Sequence, residues 1–558
     1  MTIATPQDKP GATMAGPKLE LTWPHKDEFL LVPKDEDGKP VWVPRDHPAA
    51  NEVRLTRFVD AVGDVNEKDP HLDNAVFVGD SFDAMRVMCE VPEFAARYRG
   101  KVKLIYADPP FNTGQAFTHY DDWMEHATWL SFMRDRLMLM KDLLAPDGSV
   151  WMHLDDAEVH RMRCLLDEVF GANAFVATVV WQNRYSRSND AGLSVSHNYI
   201  LVYSPNVASW NKSRNRLLRT EEQAKQYRNP DNDPLGPWRS IPWDAPNLRA
   251  NLSYPITTSA GVVRYPPEGR CWSRTEEQWL DIVKSGRAYF GQDGKGAPSI
   301  KRYLSEATLI VPNTWWPHTE CGHSDEAKKE IMRLFPGATP FSTPKPERLL
   351  ERIIHIGSNP GDLVFDPFAG SGTTAAVAHK MGRQWATSEL SIDNVNEFIA
   401  PRLTKVVSGD DPGGITKSAE WDGGGGFRTV MVEPSLYEVG AGGMVFLREG
   451  VDPDDLSRAM SGQMRFTYTP EAAPFCGRRG RMLLAVIPGV VGIEEIDDLI
   501  ARLPENTRLT LAAGALLPGA ADHLTKYSRG SRALKIPRDV LTRTLRSATD
   551  AQPGETNG

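Results

Sequence analysis

The sequence predicts an α/β fold of the doubly wound kind, a mostly parallel sheet with helices on both faces. Three observations predict it. Short apolar runs alternate with amphipathic helical stretches, the pattern of strands joined by crossover helices. Two of those runs stop at loops rich in Asp, Pro and Gly, "LIYADPPF" at 104–111 and "LVFDPFAGSGTT" at 363–374. The alternation pauses between about Arg184 and Pro312 and then resumes, so one sheet is expected from two blocks of sequence with an insertion between them.

In chain order, residues 1–17 read as a disordered tail. Next come short strands with a turn at Asp37–Gly38. "NAVFVGDSFDAM" reads as a strand, a turn at Gly79–Asp80 and a helix start. "KVKLIYAD" is a strand. After a loop comes a helix from Ala127 to Leu144, whose positions Leu130, Met133, Leu137, Met140 and Leu144 form one apolar face. "APDG" at 145–148 is a turn, "SVWMHL" a strand, and the next helix has Asp155 or Asp156 as its cap and Gly171 as its stop. Beyond the insertion come the helix "PKPERLLERIIHIG", the strand "DLVFDPF", a glycine loop, the helix "AAVAHKMG" and the strand "QWATSEL". Residues 408–426 read as a Gly-rich linker, 427–545 as a small accessory α/β domain, and 546–558 as a second tail.

Composition narrows the function classes. The 558 residues are 41% apolar and 25% charged, ordinary for a soluble globular chain of more than one domain. The net charge of −9 makes any nucleic-acid surface a local feature. Five scattered cysteines argue against a disulfide framework and fit a reducing cytoplasm. The N-terminus lacks the apolar stretch of a signal peptide. The longest apolar run, from Met482, is too short for a bilayer, so no membrane association is expected.

The two loops carry the chemistry. Pro109 and Pro110 have no N–H to give a ladder, so they end the strand and stiffen the loop after it. Asp108 and Phe111 are thereby held just past a strand's end, where open α/β sheets bind ligands. In the second loop Gly370 and Gly372 allow positive φ and close approach of the backbone to a ligand. Glu389 ends the next strand, where such folds hydrogen-bond ribose hydroxyls. No Walker lysine comes after the glycines, which disfavours a nucleoside triphosphate. Taken alone, the glycine loop is equally a tight structural turn.

Side by side, "ADPPF" and "DPFAGSGTT" resemble the beta class of amino-group DNA methyltransferases. The ordered set "LTWPHKDE", "FVGDSFDAM", "KLIYADPPFNTG", "APDGSVWMHLDDAEV", "SHNYILVYSPN" and "FSTPKPERLL" is similar to the modification subunit of Type III restriction–modification systems. The resemblance covers about Leu19 to Ser408. It implies a Rossmann-like, S-adenosylmethionine-dependent methyltransferase sheet in circularly permuted motif order. A catalytic block (70–183) would precede a target-recognition insertion (184–312) and a cofactor block (335–407), all within a methyltransferase domain at 18–407. Phe111 departs from the family's usual tyrosine. It keeps the stacking face and loses the hydroxyl.

The implied reaction moves a methyl group from S-adenosylmethionine to the N6 amine of adenine in double-stranded DNA. Asp108 would accept one amine hydrogen and the Pro109 carbonyl the other, with Pro110 as stiffener and Phe111 as stacking platform. Orientation of this type supplies about 7–11 kcal/mol. Extruding the base costs a few kcal/mol, and stacking returns about 1–3. The cofactor-binding set is Asp80, Ala107, Thr343, Lys345, Asp366, Phe368, Ala369, Gly370, Ser371, Gly372 and Glu389. Asp80 could equally be a plain helix cap, Lys345 a solvated lysine and Phe368 a core residue. Cytosine-N4 methylation is the alternative chemistry, which the family usually signals by serine in place of Asp108. A DNA-recognition subunit of a larger restriction complex is the alternative of another class. A restriction helicase or nuclease subunit and a second copy of the chain are the implied partners.

Between Arg184 and Ala250 ten basic residues face six acids, an excess of four. Arg184, Arg187, Arg214, Arg216, Arg219 and Arg239, interleaved with Trp210, Trp238 and Trp243, fit a DNA-binding surface, or a solvated insertion with a small core. His318, Cys321 and His323 lack a second half-site nearby, so no metal is expected.

Overall fold

The structure is a computed structural model that describes residues 20–32, 40–113, 124–187, 192–307, 309–337, 341–439 and 445–541. The expected tails lie outside these residues, as does the turn at Asp37–Gly38. Two compact units divide the chain. One is Asn215–Asn313, and the other is formed by the chain on both sides of it.

The larger unit is built on a ten-stranded sheet. Its strands are β1 (Thr56–Gly63), β2 (Asn74–Val78), β3 (Val102–Ala107), β4 (Leu144–Leu154), β5 (Phe175–Trp181), β6 (Asn198–Tyr203), β7 (Trp315–Trp316), β8 (Leu363–Asp366), β9 (Gln384–Glu389) and β10 (Gly426–Val432), in the spatial order β7-β5-β6-β4-β3-β8-β9-β2-β10-β1. The run from β4 to β10 is parallel, while β6 and β1 are antiparallel to their neighbours. Every residue of β3 and of β8 is buried, Lys103 and Asp366 included, as in parallel strands covered on both faces.

The order of the central strands fixes the site. β3 and β8 are neighbours, with Val364 opposite Leu104 and Phe365 opposite Ile105. From β3 the chain winds outward through helix α1 (His126–Leu143) to β4. From β8 it winds the other way, through helix α2 (Thr373–Lys380), to β9. The loops after β3 and β8 therefore diverge and leave a crevice at their carboxyl ends, the switch point of a doubly wound sheet.

Four expectations about the elements are corrected. Residues 426–432 form β10, an interior strand between β2 and β1, so the accessory region begins after Val432. The Gly-rich stretch before it is packed rather than linker-like. Trp421 Nε1 donates to the Val406 carbonyl at 2.7 Å, Gly424 N donates to the Val407 carbonyl at 2.7 Å, and Ile415 is buried. Positive φ at Gly423, Gly424 and Gly425 lets this backbone lie against the core. The helix expected to be capped by Asp155 or Asp156 runs from Val159 to Phe170 with Glu158 at its cap position, because Asp155 closes a separate turn by accepting from Ala157 N at 2.9 Å. The compact inserted unit begins at Asn215 rather than Arg184, because residues 198–203 are the β6 strand of the main sheet.

After Val432 comes a five-stranded sheet in sequence order, from Thr467–Tyr468 to Arg532–Lys535, whose last three strands are parallel. The Asn215–Asn313 unit has its own core of Trp243, Tyr254, Ile256, Trp272, Trp279 and Phe290. Among the described residues no helix is long and apolar enough to cross a membrane.

Candidate active site

Two cavities open at the ends of β3 and β8, and Asp108, Thr343, Pro344 and Lys345 line both. The first, about 520 Å³, is walled by the glycine loop. The second, about 560 Å³, is walled by Pro109, Phe111, Trp181, Asn183, Asn198 and Arg184 among others.

The loop after β3 is fixed from behind. Trp129, on α1, donates from Nε1 to the Pro110 carbonyl at 2.8 Å. Asn112 adopts φ 61° and donates from Nδ2 to Glu158 Oε1 at 2.7 Å, while its own Oδ1 accepts from Met124 N at 2.7 Å. Glu158 is fully buried and also meets His126 and Arg161. Pro110 faces the first cavity, and Pro109 and Phe111 face the second. Behind Phe111 the rings form a chain: Phe111 to His153 at 5.8 Å, then His153 to Trp181 at 5.4 Å. His153 pairs with the Tyr106 hydroxyl at 2.8 Å. Burial and the Lys345 charge hold its imidazole well below the usual histidine range, which favours the neutral ring.

In the glycine loop Gly370 has φ 53° and Gly372 φ 74°. A Cβ on Gly370 would meet the Phe341 ring at 3.3 Å. Gly372 is the N-cap residue of α2 and supplies the bend. Glu389 braces the loop, accepting from Gly370 N at 3.0 Å and from Ser391 N at 3.1 Å. Asp366 accepts from Phe368 N at 2.9 Å and from the Thr374 hydroxyl. Burial nevertheless pushes its carboxyl up to about 7, the nearby Asp108 and Glu389 charges adding to the effect. Asp80 is both a cap and a wall residue. It accepts from Phe82 N at 2.7 Å, caps the helix Ser81–Glu90, and takes a bidentate pair of bonds from Arg136 Nη2 at 2.7 Å.

The expected cofactor residues Asp80, Thr343, Lys345, Asp366, Phe368, Ala369, Gly370, Ser371 and Glu389 thus meet around the first cavity. Ala107 instead lies in the core beneath it, paired with Met152. The residues present fit S-adenosylmethionine. The walls Phe132, Phe341 and Phe368 are apolar enough for an adenine ring, and the carboxylates Asp80, Asp366 and Glu389 suit ribose hydroxyls and an amino-acid ammonium. The Gly370 turn gives a close backbone approach that a side chain would obstruct.

Sequence reasoning missed Phe132, Arg136 and Phe341. Phe132 and Arg136 are four residues apart on α1, and the guanidinium lies 3.4 Å from the ring centroid. That spacing was a visible signal. The partner, Asp80, was not, because 56 residues separate it from Arg136.

The expected DNA-contacting arginines divide between the units. Arg184 and Arg187 are exposed in the larger unit, where Arg214 lies 5.7 Å from the Trp210 ring. Arg216 is exposed in the smaller unit. There Arg219 and Arg239 lie 5.3 and 5.6 Å from the Tyr227 ring, and Arg219 Nε donates to the Ala307 carbonyl at 2.7 Å. Trp210, Trp238 and Trp243 are buried, so they are core residues rather than a base-reading surface. Their apolar area is worth more in a core than on an exposed face.

A Rossmann-like sheet with two cavities meeting at an Asp-Pro-Pro-Phe loop defines the class, and the sequence comparisons agree with it. The match to the DNA methylase family runs over residues 102–400, more than half of the chain. The chain belongs to that family. It is 32% identical over 339 residues to the StyLTI Mod subunit, a Type III restriction-modification enzyme of Salmonella typhimurium, covering 54% of this chain and 49% of that one. It is 33% identical over 294 residues to the Type II methyltransferase M.EcaI of Enterobacter cloacae (51% and 61%), and 25% identical over 389 residues to the EcoP15I Mod subunit of Escherichia coli (58% of each). The chain spans about half to three-fifths of the length of these curated relatives.

Proposed function

We propose that the chain transfers a methyl group from S-adenosylmethionine to the N6 amine of adenine in double-stranded DNA, as the modification component of a restriction–modification system. One observation carries the reading: Asp108 lies on the shared wall of a cavity suited to the methyl donor and a second one faced by an aromatic ring.

S-adenosylmethionine supplies an activated methyl group when bound. The protein's task is orientation. An exocyclic amine is a poor nucleophile because its lone pair is spread into the ring. Asp108 and the Pro109 carbonyl accept its two hydrogens and aim the lone pair at the first cavity. Phe111 stacks the base in the second, with its loop held by Trp129 and Asn112. The Asp80–Arg136 pair and the Glu389 brace hold the opposite wall. Arg184, on the wall of the second cavity, and Arg187 supply phosphate contacts from the larger unit, and Arg214, Arg216, Arg219 and Arg239 are further proposed DNA contacts, each within its own unit. The relatives named as Mod subunits of restriction-modification enzymes support a restriction subunit as partner, and a second copy of the chain rests on the family resemblance alone.

The test is transfer of labelled methyl from S-adenosylmethionine to duplex DNA, with nucleoside analysis of the product. N6-methyladenine is expected. D108A is expected to lower the rate at least a hundredfold while leaving donor affinity within a few-fold. Label on cytosine, or none, overturns the reading.

A further inference from the structure

The Lys345 ammonium pairs with the Asp108 carboxylate and lies 5.3 Å from the centroid of the Phe111 ring. Those are the hydrogen-bond acceptor and the stacking face that a base would use. Its side chain is 12% exposed and lines both cavities. On the donor side the wall carries Asp80, Asp108, Asp366 and Glu389, and Lys345 is the one cationic side chain among the described residues that line it. Arg136 is behind that wall, committed to Asp80.

We infer that Lys345 is a placeholder for the base and a counter-ion for the donor's α-carboxylate, and that its exchange between the two makes base entry depend on donor binding. The inference rests on the function proposed above. An α-carboxylate entering the first cavity meets four acidic side chains and one cation. The favourable arrangement turns Lys345 toward it and away from Asp108. That movement frees the Asp108 carboxylate for the amine and the Phe111 face for the ring. A cationic sulfonium on the donor side replaces the charge that Asp108 loses. Because coupling between sites is reciprocal, a base in the second cavity in turn tightens donor binding.

The test begins without DNA, by calorimetry of S-adenosylmethionine and of decarboxylated S-adenosylmethionine with the full chain, K345M and K345R. K345M is expected to weaken S-adenosylmethionine about tenfold and leave the decarboxylated donor unchanged, with K345R close to wild type. Equal weakening of both donors, or of neither, overturns the inference. The second arm places 2-aminopurine at the target adenine. Wild-type emission is expected to rise about tenfold on adding S-adenosylhomocysteine, whereas K345M is already bright without it. A K345M protein that still needs the added compound refutes the exchange. If the wild type modifies no DNA, the proposed function fails while calorimetry still decides whether Lys345 answers to the carboxylate.

Discussion

Asp366 shows how one residue's surroundings become a measurable property of the site. Its carboxyl accepts two hydrogen bonds that favour the charged form, yet burial beside two other carboxylates outweighs them and raises it to about 7. Linkage sets the sign. Because the folded value lies above the usual 3.8, this group favours folding at low pH, and that contribution is lost as pH rises from about 4 to about 7. A ligand with a net cationic group at this wall draws the ionised form. Donor affinity is therefore expected to increase between pH 6 and pH 8. Binding at pH 7 should release about half a proton, read by calorimetry in buffers of different ionisation enthalpy. D366N is expected to abolish the release. Gly370 carries a second residue-scale prediction. With φ 53° and the Phe341 ring 3.3 Å from an added Cβ, G370A is expected to cost about 1–2 kcal/mol in chemical denaturation and to weaken the donor at least tenfold.

At the scale of elements, α2 and its loop stand on a buried ionic cluster. Glu347 receives Lys380 at 2.8 Å and Arg402 at 2.7 Å, and Lys380 also pairs with Asp411 at 2.6 Å. All four side chains are at most 1% exposed. Arg402 continues upward, donating to the Ser371 carbonyl at 3.2 Å and the Thr373 hydroxyl at 2.8 Å, so the cluster holds the glycine loop from below. Burial penalises each charge, and the cluster persists because every charge has a partner. K380M leaves Glu347 and Asp411 short of a cation, and a loss of roughly 3–5 kcal/mol is expected by urea denaturation. A loss below about 1 kcal/mol would show that the acids find another partner or take up protons.

For the molecule as a whole, the C-terminal region is tied to the core by sequence-distant contacts. Arg57 meets Asp455, Arg465 meets Glu90, and Gln463 bridges the Asn51 carbonyl at 2.7 Å and Val53 N at 2.6 Å. β10 is the strongest tie, paired on both edges. A chain ending at Gly425 therefore leaves β1 unpaired and one edge of β2 open, and it is expected to show no cooperative thermal transition by circular dichroism. A cooperative transition near that of the full chain would mean that β1 pairs elsewhere.

Much of this was legible in the residues because it depends on local chemistry. Consecutive prolines must end a strand, Gly-x-Gly after an apolar run must bend it, and continuous apolar runs belong to parallel strands buried on both faces. Those rules gave the α/β class and the two loops, while Asp80, Thr343 and Lys345 were reached only through the family resemblance. Other features depended on pairs far apart in sequence. Only the tertiary structure placed 426–432 inside the sheet, paired Asp80 with Arg136, buried the tryptophans of the insertion and set Lys345 against Asp108. A strand's neighbours and a charge's counter-ion are chosen by packing in three dimensions, and sequence spacing carries no record of that choice.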